Sequence, residues 1–301
     1  MNSDMRLLVF GREGQIARAL SDIVWPSGWR VRYLGRAECD LQIAGAAAAA
    51  IRSFHPDLIL NAAAYTDVDK AESDEAVAYA LNQDAPGEMA AASAEFRAPL
   101  IHISSDYVFD GTGTRARSET EPCAPLSVYG ASKAAGETLI RNRQPRHLIV
   151  RTSWVFSSRG RNFVRTMLRL GMERDELAVA DDQIGGPTAA TDIAETLMRM
   201  ALGLVEGSAL SGTYHYAGTP PVSRYGFAKA IFDRIGSRGL KVPRALHKIA
   251  TADYPSPARR PLNSRLDCTA IRRDWGIEQP DWRRSLERCL DKLIPISPTD
   301  H

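Results

Sequence analysis

The first half of the chain alternates short apolar runs with longer stretches whose apolar residues recur at helical spacing. Segments 6–10, 30–34, 57–61, 100–103 and 147–151 predict strands, the first of them buried, because a strand covered on both faces reads as a continuous apolar run. Between them, 14–24, the alanine-rich 43–54, the long 73–96 and 127–143 predict helices, and His55-Pro56 stops the second of these. This alternation predicts an α/β fold with right-handed βαβ crossovers: a doubly wound parallel sheet with helices on both faces. The second half is less regular. It predicts helices at 163–174, 190–204, 224–235 and 285–293, strands at 177–180 and 213–216, and an ordered loop over the proline- and arginine-rich 248–266. No linker separates independent domains. We expect residues 1–155 to form mainly the sheet domain and 156–301 mainly a smaller C-terminal lobe on the sheet's C-terminal edge, with some segments returning to the sheet.

Composition narrows the function. In 301 residues, 38 basic side chains against 36 acidic give a net charge of +2. Such a balance, with no basic stripe carrying interleaved aromatics, argues against a nucleic-acid partner. No apolar run approaches the ~18 residues of a membrane span, and the first apolar run is cut at once by Gly11-Arg12-Glu13-Gly14, unlike a secretion signal. We expect a cytoplasmic protein without a membrane partner. Cys39, Cys123, Cys268 and Cys289 lie far apart and form no C-x-x-C, which predicts free thiols and no metal site.

Candidate chemistry begins between the first strand and first helix, at Gly11-x-x-Gly14-x-x-Ala17. Gly11 suits a tight turn, Gly14 lets backbone approach a pyrophosphate, and Ala17 allows close helix–strand packing, the pattern of a dinucleotide site. The second strand ends in Leu34-Gly35-Arg36, without the carboxylate that binds an adenosine ribose. Arg36 fits the 2′-phosphate of NADPH and equally fits a solvent-facing side chain, so NADH stays open. Asp40 and Leu41 are placed to flank the adenine. Asn61-Ala62-Ala63-Ala64 leaves room for a ligand at the third strand's end.

Tyr129-x-x-x-Lys133 places a phenol and an ammonium on one helix face. The nearby charge is expected to lower the phenol's pKa from ~10, making Tyr129 a general acid. Ser104-Ser105-Asp106 at the end of the fourth strand offers a hydroxyl, Ser105, beside it.

Together these motifs resemble an extended short-chain dehydrogenase/reductase. Longer strings narrow the resemblance: Asn61 through Glu72, Ser105-Asp106-Tyr107-Val108-Phe109-Asp110-Gly111, Arg151-Thr152-Ser153-Trp154-Val155-Phe156, Asp182-Gln183-x-Gly185-x-Pro187-Thr188 and Arg260-Pro261-x-Asn263-Ser264 are similar to the dTDP-4-dehydrorhamnose reductase family. The resemblance implies a Rossmann-type domain that binds NADPH or NADH, a smaller substrate-binding lobe, and reduction of the C4 ketone of dTDP-4-dehydro-β-L-rhamnose. It implies a cofactor site of Gly11, Gly14, Gln15, Ile16, Arg36, Asp40, Leu41, Ala62, Ala63, Ala64, Tyr65, Thr66, Tyr129 and Lys133. Tyr129, Lys133 and Ser105 would be catalytic, and Ser105, Asp106, Trp154 and Arg260 would meet the substrate, Trp154 with an apolar face and Arg260 at the diphosphate. Trp154 equally fits a core position. The chain departs from the family's pattern at Ala17, Tyr65, Ser105 and Leu262. Monomer and homodimer both stay open. Two rivals share the fold: a nucleotide-sugar epimerase or dehydratase that keeps its NAD, and a non-catalytic regulatory subunit.

Overall fold

Alternate residues of the strands feed two cores, and this is what makes the sheet doubly covered. The computed structural model describes residues 5–294. The expected domain spans also include 1–4 and 295–301, which lie outside the described residues. The chain runs β1 (Met5–Phe10), α1 (Gln15–Ser21), β2 (Trp29–Leu34), α2 (Ala46–Phe54), β3 (Leu58–Asn61), α3 (Val68–Ala71), α4 (Glu75–Tyr79), a π-helical turn (Ala80–Asp84), α5 (Ala85–Glu95), β4 (Leu100–Ser105), α6 (Val128–Arg143) and β5 (His147–Thr152). Leu7 and Val9 of β1 pack in one core, and Leu8 and Phe10 in the other with Ile51 of α2, Met89 of α5 and Ile140 of α6. The period-2 alternation of a strand thus supplies both faces.

The chain continues through β6 (Val155–Phe156), α7 (Phe163–Glu173), β7 (Glu176–Ala180), β8 (Ile184–Gly185), β9 (Thr188–Ala189), α8 (Ala190–Val205), β10 (Gly212–His215), β11 (Val222–Ser223), α9 (Arg224–Gly236), β12 (Ala245–Ile249), β13 (Asn263–Ser264), α10 (Thr269–Trp275) and α11 (Trp282–Leu293). The main sheet has order β10-β5-β4-β3-β1-β2, and all its pairs are parallel. β10 therefore returns to the sheet, and α8 packs across α1 through Ile193, Leu197 and Met200 in the first core. A third core gathers α7, α9, α11 and β7 around Phe227, Met167, Leu286 and Leu177. The chain leaves β1 toward β2 on one side and returns as β3 on the other. That reversal opens a crevice at the strands' carboxyl ends, where open α/β sheets bind ligands.

Two expectations are corrected. The single helix over 73–96 is broken by the π-helical turn. Pro86 has no N–H to give the Asn82 carbonyl, so the regular ladder fails there. The freed carbonyl faces α6 at Gly136, where a Cβ would stand 2.0 Å from Asn82 O. The 248–266 segment is not all loop. Its start belongs to β12, which pairs in parallel with β7 over Ala245–Ile249, and it also holds β13. Among the described residues no helix is long and apolar enough to cross a membrane. The four cysteines are free thiols.

Candidate active site

A cleft of ≈ 690 Å³ lies over the carboxyl ends of β1, β3, β4 and β5, closed on its far side by Trp154, Gly160, Arg161 and Arg224. Its floor explains the glycine at position 11. Gly11 has φ 112, and a Cβ there would stand 3.1 Å from the backbone of Ala62 and Ala63. Only glycine takes that conformation and approach without strain. Gly14, the N-cap of α1, has nothing nearer than Ala62 O at 3.9 Å to a Cβ, so its side toward the cleft is open. Ala17 is fully buried, as packing against β1 requires. Gln15, Ile16, Ala62, Ala63, Ala64 and Thr66 all line the cleft.

At the cleft's other end stand Arg36, Asp40 and Leu41. Arg36 is largely exposed and meets Asp40 at 3.3 Å. Arg12, unnoticed in the sequence, pairs with Glu38 and donates to Tyr33 O at 3.0 Å, so a second guanidinium lines this end. The floor, the open backbone at Gly14 and the two arginines fit a dinucleotide with an anionic group on its adenosine ribose.

Tyr129, Lys133 and Ser105 come together in the middle. Ser127 caps α6 by accepting from Gly130 N at 3.2 Å, which starts the helix where Tyr129 enters the cleft. The phenol ring packs edge-on against Tyr107, 5.4 Å between centroids. Burial raises the Tyr129 pKa well above its ordinary value, opposed in part by hydrogen bonding with Ser105. The expected lowering by Lys133 is absent, because the ammonium points elsewhere. Lys133 Nζ donates to Ile103 O at 2.7 Å and lies 3.1 Å from His102 Nε2. Burial lowers Lys133 to about 8, against a raising effect from Glu137. His102, buried and then further depressed by Lys133, stays neutral. Its Nδ1 meets Asn61 Nδ2 at 3.0 Å, and Asn61 Oδ1 accepts from Ala63 N at 3.0 Å. One chain of contacts thus links the third strand's end to the lysine.

Behind the cofactor loop, buried Asn82 accepts from Tyr65 N at 2.9 Å and donates to Tyr65 O at 3.1 Å and Ser132 Oγ at 3.0 Å. The π-helical turn that carries Asn82 therefore fixes the 62–66 loop to α6. The Tyr65 side chain itself turns away from the cleft to donate to Asp74 at 3.1 Å. Arg260 is likewise engaged elsewhere, at 2.7 Å from Asp69 Oδ2 and bonded to Ser256. Tyr65 and Arg260 are the two expected site residues that do not line the cleft.

The substrate end holds unpartnered polar atoms. Ser105 Oγ donates to Asp106 Oδ1 at 3.0 Å, and Tyr107 N donates to Ser105 Oγ at 3.2 Å. Asp106 Oδ2 and Thr152 Oγ1 are buried without a hydrogen-bond partner, as is the nearby Ser264 Oγ. Burial raises Asp106 to about 6, opposed by the Ser105 hydroxyl and the charge of Arg224. Buried polar atoms left open in a cleft are what a hydroxyl-rich ligand satisfies. Trp154 lines the cleft from a left-handed backbone, φ 49. Arg224, Arg12 and Tyr107 line the cleft and His102 and Asn82 lie behind it, all passed over by sequence reasoning. Arg12 and Tyr107 stood inside recognised strings; the others carried no local signal.

Residues 5–294 match the family model described as the RmlD substrate binding domain. The chain belongs to that family. It is 44% identical over 295 residues to a dTDP-4-dehydrorhamnose reductase of Sinorhizobium fredii, covering 96% of this chain and 98% of that one. It is 38% identical to the Escherichia coli dTDP-4-dehydrorhamnose reductase, covering 96% and 98%. The dTDP-4-dehydrorhamnose reductase of Bacillus anthracis, solved in complex with NADP, superposes with a TM-score of 0.87 at 33% identity over 95% of this chain and 99% of that one. A UDP-glucose 4-epimerase of Thermus thermophilus, solved with NAD, matches with a TM-score of 0.78 at 18% identity and shares the fold alone.

Proposed function

We propose that the protein reduces the C4 ketone of dTDP-4-dehydro-β-L-rhamnose to dTDP-β-L-rhamnose with NADPH, in the cytoplasm. The observation that carries this is the meeting of Tyr129, Ser105 and Lys133 between a dinucleotide floor and a polar sugar end, in a chain of this family. Residues 1–155 mainly hold the cofactor and 156–301 mainly shape the substrate end.

NADPH, when bound, supplies the hydride that the ketone carbon accepts. The chain's own residues position the ketone and handle its oxygen. Ser105 Oγ hydrogen-bonds the carbonyl oxygen and stabilises the negative charge that grows there. Tyr129 Oη holds the proton this oxygen takes up. Its raised pKa keeps the phenol protonated at neutral pH, and an alkoxide is basic enough to take that proton. Lys133 holds the cofactor's ribose hydroxyls from its place on α6, and Gly11, Gly14 and Ala62 receive the dinucleotide backbone. Arg36 and Arg12 favour a 2′-phosphate over a bare ribose.

The test is cofactor consumption with dTDP-4-dehydro-β-L-rhamnose generated in situ. Loss of NADPH absorbance matched mole for mole by dTDP-L-rhamnose establishes the reaction. No consumption by folded protein that binds NADPH refutes it, and stoichiometric NAD that survives purification points to the epimerase chemistry instead.

A further inference from the structure

The Trp154 indole carries a cation on its face. Arg224 Cζ lies 3.7 Å from the indole centroid and 5.2 Å from that of Phe163. The indole also backs onto Gly185, where a Cβ would stand 2.7 Å from Cε2. The φ of 49 at Trp154 is one that bulky residues rarely adopt. The ring is thus held in place, and the face expected to carry a deoxysugar is covered.

The guanidinium above it is uncommitted. Among the described residues, the Arg224 side chain makes no hydrogen bond and no ion pair; the backbone N–H donates to Gln183 O at 3.1 Å. Arg224 is half-buried and its open side is the cleft. A desolvated cation without a counter-ion is costly, and stacking on an indole offsets only part of that cost. Burial lowers Arg224 to about 10, with Tyr107 and Asp106 opposing and Arg260 adding to the fall, so it is charged at neutral pH. The nearby carboxylate, Asp106, is pushed up to about 6 and acts on Arg224 through space, making no ion pair with it. Arg260 differs, since its donors already go to Asp69 and Ser256. Of these two guanidinium groups, the one that lines the cleft and has free donors is Arg224. A planar fork of N–H donors suits a phosphate oxygen pair.

We propose that Arg224, propped on Trp154, is the residue that binds the diphosphate of the nucleotide-sugar substrate, and that Trp154 serves as its support. This deepens the nucleotide-sugar reading and rests on it. Arg260 then acts as a structural tie to Asp69.

The experiment titrates the NADP-loaded protein with dTDP and, separately, with thymidine, by calorimetry, for the native chain and for Arg224→Gln, Arg224→Lys and Arg260→Gln. Losing a charge-assisted bidentate contact predicts dTDP affinity weakened about 10- to 100-fold in Arg224→Gln, with thymidine and NADP binding unchanged. Arg224→Lys recovers part of the loss, and Arg260→Gln weakens dTDP less than Arg224→Gln does. The KM for the sugar nucleotide rises in parallel while kcat stays within about threefold. Native dTDP affinity in Arg224→Gln overturns the proposal, as does an equal loss of thymidine affinity, which would mark a change of shape. Should Arg224→Gln fail to bind NADP, the lysine variant carries the same comparison. A native chain that binds NADP but not dTDP defeats the nucleotide-sugar reading itself, and the proposal with it.

Discussion

Glu137→Gln removes one charge from the middle of α6, the helix that carries Tyr129 and Lys133, and the structure gives two consequences. Glu137 accepts from Arg151 Nε at 2.9 Å and from Nη2 at 2.6 Å, with both side chains almost wholly out of water. Arg141 adds an outer contact at 3.1 Å. Burial pushes the Glu137 carboxyl up, yet Arg151, with help from Ser104 and Arg141, more than offsets it, and the net shift is downward. Without the carboxylate's charge, Arg151 keeps the amide oxygen of the new glutamine together with His215, Cys123 and the Phe109 face, none of them an anion that neutralises it. Breaking a buried pair on one side costs roughly 3–5 kcal/mol, because the other charge stays buried and unpaired. At about 2–4 °C per kcal/mol for a large domain, the melting temperature falls by roughly 10 °C. The folded pKa of Glu137 lies below its unfolded value. Its contribution is therefore full above the unfolded pKa and is lost as pH falls through the folded one. The gap between variant and native protein closes in acid.

The second consequence reaches the active site. Glu137 raises Lys133, so its removal lets the lysine lose its proton at lower pH. The alkaline limb of kcat/KM, expected near 8 from the free protein, moves to lower pH. Thermal melts across pH and a kcat/KM profile measure the two effects. A variant that melts with the native protein and keeps its alkaline limb refutes the argument. Replacing Glu137 and Arg151 together by leucine and methionine restores much of the stability, since no charge is then stranded.

Three further outcomes are expected. Tyr129→Phe binds NADPH with native affinity in a fluorescence titration and loses about 10²- to 10⁴-fold in turnover, the range of general-acid help. Gly11→Ala forces a side chain into φ 112 and against the Ala62–Ala63 backbone, costing roughly 1–3 kcal/mol in denaturant melts and weakening cofactor binding. Arg36→Ser narrows the ratio of NADPH to NADH kcat/KM about tenfold, and an unchanged ratio assigns discrimination elsewhere.

The sheet was readable because its central strands are apolar on both faces and alternate with helical stretches. The break at Ala80–Asp84 was readable in principle, since Pro86 announces a missing donor. β12 was not, because Ala-Leu-His-Lys-Ile lacks a clean alternation and is made a strand by β7, far off in sequence. Tyr129, Lys133 and Ser105 were found by spacing and resemblance. The direction in which Lys133 points was not, because His102 and a strand carbonyl decide it. Arg260 looked free as a residue in a string, and Asp69 claims it across 191 positions. Arg224 had no neighbour in sequence to mark it, and only folding lays it on Trp154.

The rim of the cleft bears on timing. Arg161 reaches across to Asp67 at 2.7 Å, and Arg260 to Asp69. The Arg161 side chain is exposed, and exposed pairs are individually weak and screened by salt. A reductase spends one cofactor per cycle, so its cleft must release as often as it grips. Fastening the rim with contacts that water readily replaces leaves little holding the walls together once the product has formed. Departure is then governed by how tightly the floor at Gly11 and Gly14 keeps the spent cofactor, and the sugar side can empty first.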